Sequence, residues 1–348
     1  MLRDCDKLPR VAPTGEKQVS IWWWAFGYFA AYAPYSALTK ALSDGKLGDK
    51  VPGNTILPLS TFASFLGMAL FLWGTGWWTS AGRRQLGKFA VPFPTRWTTL
   101  SGLCGATILT TTTLAYTISG VSIVFMMLLL RGGVLMIAPL VDALSRRKVK
   151  WPSWVATALT LSSLLVTLIN RDESFTLPLL AIIDVAAYLT AYFIRLRFMS
   201  KLAKSDDLEV TRRYFVEEQL VATPAAFLGL GILAVIGGGE FDNIRRGFLE
   251  FPFTGQAFWA IAIGVLSQGT GIFGALVLLD KRENTFSVPV NRASSMLAGV
   301  VATLSLWALG IGKVLDWREA VGAGLVISAI VVLSLPTLLA KKEGTPEK

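Results

Sequence analysis

The feature that most constrains the fold is a series of long apolar runs. A run of roughly 18 or more apolar residues is long enough to cross a bilayer as a helix. Ten such runs follow one another, and only 16% of the 348 residues are charged whereas 53% are hydrophobic. The sequence therefore predicts an all-α integral membrane protein with ten transmembrane helices. The runs are at about 19–42, 53–76, 97–117, 118–141, 152–170, 176–198, 214–237, 254–279, 285–311 and 319–340.

The segments outside these runs are short. A charged leader at 1–18 precedes the first run, and a tail at 341–348 follows the last. The first run is longer than the apolar region of a signal peptide and has no A-x-A-like cleavage site after it. We therefore expect the first run to be retained as a transmembrane helix.

The basic residues are distributed unevenly between the two sides of the predicted membrane domain. If the amino terminus is cytoplasmic, 21 of the 33 lysines and arginines lie in cytoplasmic segments, including the leader and the tail, and 8 lie on the opposite side. Cytoplasmic loops of membrane proteins carry such an excess. This distribution predicts a multi-pass protein of the cell (inner) membrane with both termini cytoplasmic. It also explains the net charge of +10 without a nucleic-acid partner.

The residue types present exclude several kinds of chemistry. The chain has no histidine and two cysteines, Cys5 in the leader and Cys104 in the third run. No disulfide framework, metal site or haem site is expected from this set. The sequence also lacks a catalytic triad and a phosphate-binding glycine loop. We expect neither an enzyme nor a cofactor.

The two halves of the chain repeat one another. Four pairs of segments match in the same order, at offsets that differ by ten residues at most, which indicates an internal repeat. The pairs are 59–67 with 221–229, Arg131 with Arg292, the segment from Trp151 with the segment from Trp317, and 30–32 with 186–188.

The repeat predicts an inverted topology. Each half, 19–170 and 176–340, contains five runs, and because five is odd the second half enters the membrane from the opposite side. Inverted repeats are typical of secondary transporters, in which the substrate binds near the bilayer midplane and the two halves rock to expose it alternately to each side.

These features resemble those of a known family. The tenth run begins WREAVGAGLVIS at Trp317, Lys40 stands at the end of the first run, and the repeat covers the whole chain. The chain thereby resembles the drug/metabolite transporter superfamily, in particular its EamA-like members with ten spans in two inverted repeats. The resemblance implies a membrane transporter, with Lys40 among the residues that bind its substrate.

Two arginines lie inside apolar runs at equivalent places in the two halves. Arg131 interrupts VFMMLLLRGGVLMIAPLV at 124–141, and Arg292 is its counterpart. An arginine at a helix centre costs about 2.5–3.5 kcal/mol on insertion scales, so it faces the bundle interior. Two arginines near a symmetry axis suit a phosphate or carboxylate. The alternative is a structural role, in which each arginine ties helices together through carbonyls or a buried acid.

Other polar residues inside the runs are candidates for the same site. Asn291, Gln268, Tyr35 and Tyr188 could donate hydrogen bonds in a central cavity. Asp184 is the acid deepest within a run, and it is a candidate for an arginine partner, which we favour, or for a proton-coupling site.

The acids at the cytoplasmic end of the seventh run have a different role. Glu217 and Glu218 follow Arg212 and Arg213 by about one helical turn. This spacing predicts interfacial salt bridges.

The expected function is secondary transport of a small anionic or zwitterionic metabolite by alternating access. The alternatives are a lipid-phosphate flippase or a drug exporter on the same fold, and a non-transporting membrane scaffold with structural arginines. Two positive charges in the cavity would repel a cationic drug. The expected partners are the small-molecule substrate and membrane lipid. The sequence leaves open whether the protein forms a homodimer.

Overall fold

The protein folds as a bundle of helices. The computed structural model describes residues 19–86, 89–115, 123–166, 178–239, 241–310 and 317–342. Eleven α-helices make up most of this part of the chain, which confirms the prediction of an all-α protein. They are α1 (Ile21–Ser43), α2 (Gly53–Gly74), α3 (Arg96–Ala115), α4 (Ile123–Leu144), α5 (Trp151–Val166), α6 (Leu179–Phe198), α7 (Leu208–Ile236), α8 (Phe241–Leu249), α9 (Ala257–Leu278), α10 (Asn284–Ala308) and α11 (Trp317–Lys342).

Three of these helices, α2, α7 and α9, are long and apolar enough to cross a membrane. Helices of this length and composition are features of a helical membrane protein. Large apolar side chains also stand on the outer surface of the bundle, among them Trp73 at 80% and Val235 at 87% exposure. Exposure of such a surface to water is unfavourable, and a bilayer would cover it.

Two elements lie outside the ten predicted runs. A β-hairpin pairs β1 (Arg83–Leu86) with β2 (Phe89–Pro92) in antiparallel register between α2 and α3. The short helix α8 follows α7 and is amphipathic, because Ile244 and Gly247 are buried while Arg245 and Arg246 are exposed. The predicted leader at 1–18 and the segment at 171–175 lie outside the described residues.

Small residues let the helices of the core approach closely. Gly264 of α9 leaves no room for a side chain, because an added Cβ would collide with the Ser60 carbonyl of α2. At the same crossing the Ser64 hydroxyl donates a hydrogen bond of 2.7 Å to the Gly264 carbonyl. Close backbone packing with hydroxyl hydrogen bonds is typical of helix contacts within membranes.

The helix contacts determine what lies at the centre. Helix α1 packs against α9 and α10, α6 packs against α3 and α4, α2 packs against α9, and α7 packs against α3. Helices α5 and α11 pack against each other. The cavity described next lies in the space between α1, α2, α3, α6, α7, α9 and α10.

Candidate functional site

A cavity of about 350 Å³ lies among α1, α2, α3, α6, α7, α9 and α10. Cavities from roughly 300 Å³ upward hold small-molecule ligands in proteins. Hydroxyl groups from three helices line it, which makes its wall polar within an apolar bundle. They belong to Ser60, Thr61, Ser64, Thr223, Ser267 and Thr270.

Arg292 brings a positive charge to this cavity. It lies in α10, its residue is 8% exposed, and its guanidinium carbon stands 5.3 Å from the centre of the Tyr192 ring. Its Nε is buried and has no hydrogen-bond partner among the residues described. A buried donor without an acceptor costs about 1–3 kcal/mol, and more when it is charged. The wall of the cavity therefore contains a buried cationic group with one unsatisfied donor.

Gln268 repeats this pattern on α9. It lines the cavity and is 7% exposed, and its Nε2 has no hydrogen-bond partner within the described part of the chain. The amide of Asn291 also lines the cavity and donates to the Gly274 carbonyl over 3.2 Å. Tyr35 of α1 contributes to the same wall. The structure thus brings together four predicted site residues, Arg292, Asn291, Gln268 and Tyr35.

Arg131 occupies a different position from its counterpart. It is not among the lining residues, and its Nη2 donates a hydrogen bond of 3.2 Å to the Tyr32 hydroxyl of α1. Arg292 thus lines the cavity, whereas Arg131 does not.

Two other predicted site residues also lie away from the cavity wall. Tyr188 is 4% exposed and packs against Tyr192, with 4.9 Å between ring centres. The Lys40 side chain is 63% exposed and forms an ion pair of 3.0 Å with Asp44. Lys40 stands in the last turn of α1, which ends at Ser43, so its ammonium reaches the surface. The structure gives Lys40 no place in the site.

A buried ion pair stands in the cavity wall where none was predicted. Arg195 of α6 lines the cavity, and its Nε and Nη2 each donate to the Glu218 carboxylate of α7 over 2.9 Å. The Glu218 side chain is 0% exposed and also accepts a hydrogen bond from Ser101. This two-pronged geometry neutralises Arg195. Of the two lining arginines, Arg195 is paired with Glu218, and Arg292 has no acidic partner among the described lining residues.

Glu217 behaves as its spacing from Arg213 predicts. Its carboxylate accepts a 2.8 Å hydrogen bond from Arg213 one turn earlier in α7. It also accepts hydrogen bonds from the backbone of Gly82 and Thr95. Glu217 therefore fastens the segment before α3 to α7, whereas Glu218 pairs across the bundle with Arg195. In the sequence, the indication of the Arg195–Glu218 pair was that two oppositely charged residues lie in the consecutive sixth and seventh apolar runs.

Asp184 is buried in α6 without an arginine. It is 2% exposed, and neither carboxylate oxygen has a hydrogen-bond partner in the described ranges. The favoured prediction of an arginine partner is thus not met by the residues that the structure describes.

A polar network holds together the end of α4, the segment after α6 and the start of α10. The buried Asp142 at the end of α4 accepts hydrogen bonds from the backbone N–H groups of Asn284 and Thr285 at the start of α10. Arg147 donates to the carbonyls of Ser200 and Lys281, over 2.9 and 2.8 Å. An acid at a helix N-terminus and an arginine on carbonyls satisfy backbone groups that the helix ends leave open.

Comparisons with known proteins inform the fold. The chain is similar to a protein of known crystal structure, with a TM-score of 0.53, 12% sequence identity and coverage of 94% of this chain and 99% of the other. At that identity the likeness extends to the fold alone. No protein-family model and no curated protein matches the chain.

Proposed function

We propose that this protein is a secondary transporter that moves a small anion across the membrane by alternating access. The observation that carries the proposal is the buried Arg292, which lines a cavity of about 350 Å³ and whose buried Nε has no hydrogen-bond partner among the described residues. The described lining residues include no acid. A single uncompensated positive charge favours an anion over a zwitterion, because a zwitterion needs an acid for its ammonium group.

The proposal includes ten transmembrane helices, α1 to α7 and α9 to α11. Nine of the ten have 20 to 29 residues, and α5 has 16. A helix rises 1.5 Å per residue, so about 20 residues match a hydrocarbon core of about 30 Å. The α8 helix is too short to cross and would lie at the membrane surface.

The helix contacts support an inverted repeat. Exchanging the two halves pairs α1 with α6, α2 with α7, α3 with α9, and α4 with α10. The contacts of α1 with α9 and α10 then correspond to those of α6 with α3 and α4, and the contact of α2 with α9 corresponds to that of α7 with α3. A pseudo-two-fold axis between the halves would produce this pattern.

The tyrosine contacts of the two arginines support the same exchange. Tyr32 of α1 accepts a hydrogen bond from Arg131, and the ring of Tyr192 of α6 lies beneath Arg292. The sequence repeat matches Arg131 with Arg292, and it matches Tyr32 with Tyr188, which lies one helical turn before Tyr192. In each half an arginine of the fourth helix thus contacts a tyrosine of the first, although Arg292 lines the cavity and Arg131 does not.

Membership of the drug/metabolite transporter superfamily is part of the proposal and rests on the sequence features that resemble that family. A non-transporting scaffold is the rival proposal. What favours it is the Arg131–Tyr32 hydrogen bond, since that contact joins α4 to α1 without facing the cavity.

A thermal-shift screen tests the proposal. The panel would hold lactate, D-gluconate, citrate, inorganic phosphate and glucose 6-phosphate, with alanine as a zwitterion and tetraphenylphosphonium as a cation. A ligand at a hundred times its Kd adds about 2.7 kcal/mol to the stability of the folded state. We expect one or more anions to raise the melting temperature of the wild type while alanine and tetraphenylphosphonium do not.

Two variants locate the effect. Arg292→Gln should abolish the anion shift, while Arg245→Gln, which changes an exposed arginine of α8, should keep it. No anion shift in the wild type, or an equal shift in Arg292→Gln, would refute anion binding at this cavity.

A further inference from the structure

Four polar side chains follow one face of α6. Asp184, Tyr188, Tyr192 and Arg195 are separated by four, four and three residues, and residues at such spacings stand on the same side of a helix. The Tyr188 and Tyr192 rings are in contact, and the Tyr192 ring lies beneath Arg292. The face therefore connects Asp184 to the cavity wall.

Asp184 is buried without a polar partner among the described residues. Its residue is 2% exposed, and both carboxylate oxygens are buried without a hydrogen-bond partner in the described residues. The helices packed against α6 are α3 and α4. Their charged or titratable residues with described side chains are Arg96, Cys104, Arg131 and Asp142, and none of them is paired with Asp184.

Two of these residues, Arg131 and Asp142, have hydrogen-bond partners elsewhere in the structure. Arg131 donates to Tyr32. Asp142 is linked through Asn284 to Ser200, which lies 16 residues, or about 24 Å of helix, beyond Asp184. An ionised carboxylate that is buried and unpaired is strongly disfavoured, whereas a protonated carboxyl is neutral.

We propose that Asp184 is a proton-binding site and that the transporter carries its anion together with a proton. A proton from water forms an O–H bond with a carboxylate oxygen of Asp184 on one side of the membrane. The same bond breaks on the other side and returns the proton to water. This inference rests on the proposed function for its anion, but proton binding by Asp184 is separate from it.

The net charge of Arg292 and Asp184 gives the reason for coupling. When both sites are empty, a positive guanidinium and a negative carboxylate sum to zero. When both are occupied, a monovalent anion cancels the guanidinium and the proton cancels the carboxylate, so the sum is again zero. With one site occupied the sum is +1 or −1, and a net charge is costly to move through the bilayer. The empty and fully loaded forms therefore cross more readily than the half-loaded forms.

Infrared spectroscopy of the protein in lipid nanodiscs tests proton binding without any anion. At neutral pH the wild type should show the carbonyl band of a protonated carboxylic acid. Asp184→Asn should lose this band and still fold, because asparagine matches the neutral carboxyl in size. Asp142→Asn is the matched control and should keep the band, because it replaces a different buried acid, one held by four N–H and hydroxyl donors, and leaves Asp184 in place. The absence of the band in the wild type, or its survival in Asp184→Asn, would overturn the proposal.

A labelling experiment tests whether this proton changes access to the cavity. A single cysteine at the cavity residue Ser60, in a background with Cys5 and Cys104 replaced by alanine, would react with a membrane-impermeant maleimide. The labelling rate should depend on pH more steeply with Asp184 present than in Asp184→Asn, which supplies the correction for thiol ionisation. Equal pH dependence in both backgrounds would overturn the coupling. Since neither experiment needs an anion, a failed anion screen would leave these results interpretable.

Discussion

At the scale of single residues, the charges inside the bundle differ mainly in their partners. Arg195 has Glu218, Arg131 has Tyr32, and the Nε of Arg292 has none among the described residues. The sequence identified all three arginines as lying within apolar runs. It could not show their partners, because a guanidinium on a long side chain reaches different neighbours according to the rotation of its helix.

The Arg195–Glu218 pair should be important for stability. Glu218→Gln leaves the buried Arg195 without its counter-charge, and removing one partner of a buried pair costs about 3–5 kcal/mol. Asp206→Asn is the control, since it breaks the exposed Lys281 pair, which is worth about 0–1 kcal/mol. Denaturant unfolding in detergent measures both losses. Similar losses in the two variants would show that the buried pair contributes no more than a surface pair.

Lys204 should make stability depend on pH. It follows α6 outside the apolar run, and its ammonium donates to the Arg282 carbonyl and the Ser287 hydroxyl, each over 2.9 Å. Burial lowers the pKa of Lys204 from 10.5 to about 7, helped by repulsion from Arg147 and opposed by attraction to Asp280.

The sign of the pH effect follows from that lowered pKa. Between pH 7 and 10.5 the folded protein binds fewer protons at Lys204 than the unfolded chain, so its contribution to the free energy of unfolding rises with pH. The contribution is lost as pH falls through this window, and below it both states are protonated. Unfolding measured across the window should show a smaller rise with pH in Lys204→Met. An identical profile in the variant would contradict the lowered pKa.

At the scale of elements, the apolar runs predicted helices well, because a segment in a bilayer must satisfy its backbone hydrogen bonds within itself. Each of the ten runs contains one of the helices α1 to α7 and α9 to α11, or most of one. The β-hairpin and α8 were missed since neither is long or apolar.

Threonines within a helix commonly donate hydrogen bonds to carbonyls of their own helix. Thr110 and Thr111 of α3 do so.

The ends of the helices were less predictable than their centres. The Asp142 contacts with α10 join residues 142 and 143 positions apart in the chain. No local pattern carries that information. The basic residues at these ends were expected to report topology alone, yet Arg147 and Lys204 also hold the ends of α4, α6 and α10 together.

At the scale of the whole molecule, the repeat in the sequence predicts that Arg131 and Arg292 share one site. However, the cavity wall includes Arg292 and Arg195 but not Arg131, which donates to Tyr32. The side chains around the two arginines therefore differ.

Uptake into proteoliposomes tests the central claim, that Arg292 binds a transported anion, most directly. The substrate would be the anion from the panel that most stabilises the wild type. Arg292→Gln should lower the apparent affinity by at least about 30-fold, which corresponds to about 2 kcal/mol for a lost buried charge contact. Arg292→Lys should fall between it and the wild type, because it keeps the charge but loses the planar geometry. Arg245→Gln should transport normally. Normal uptake by a folded Arg292→Gln protein would contradict the account and leave the arginine with a structural role.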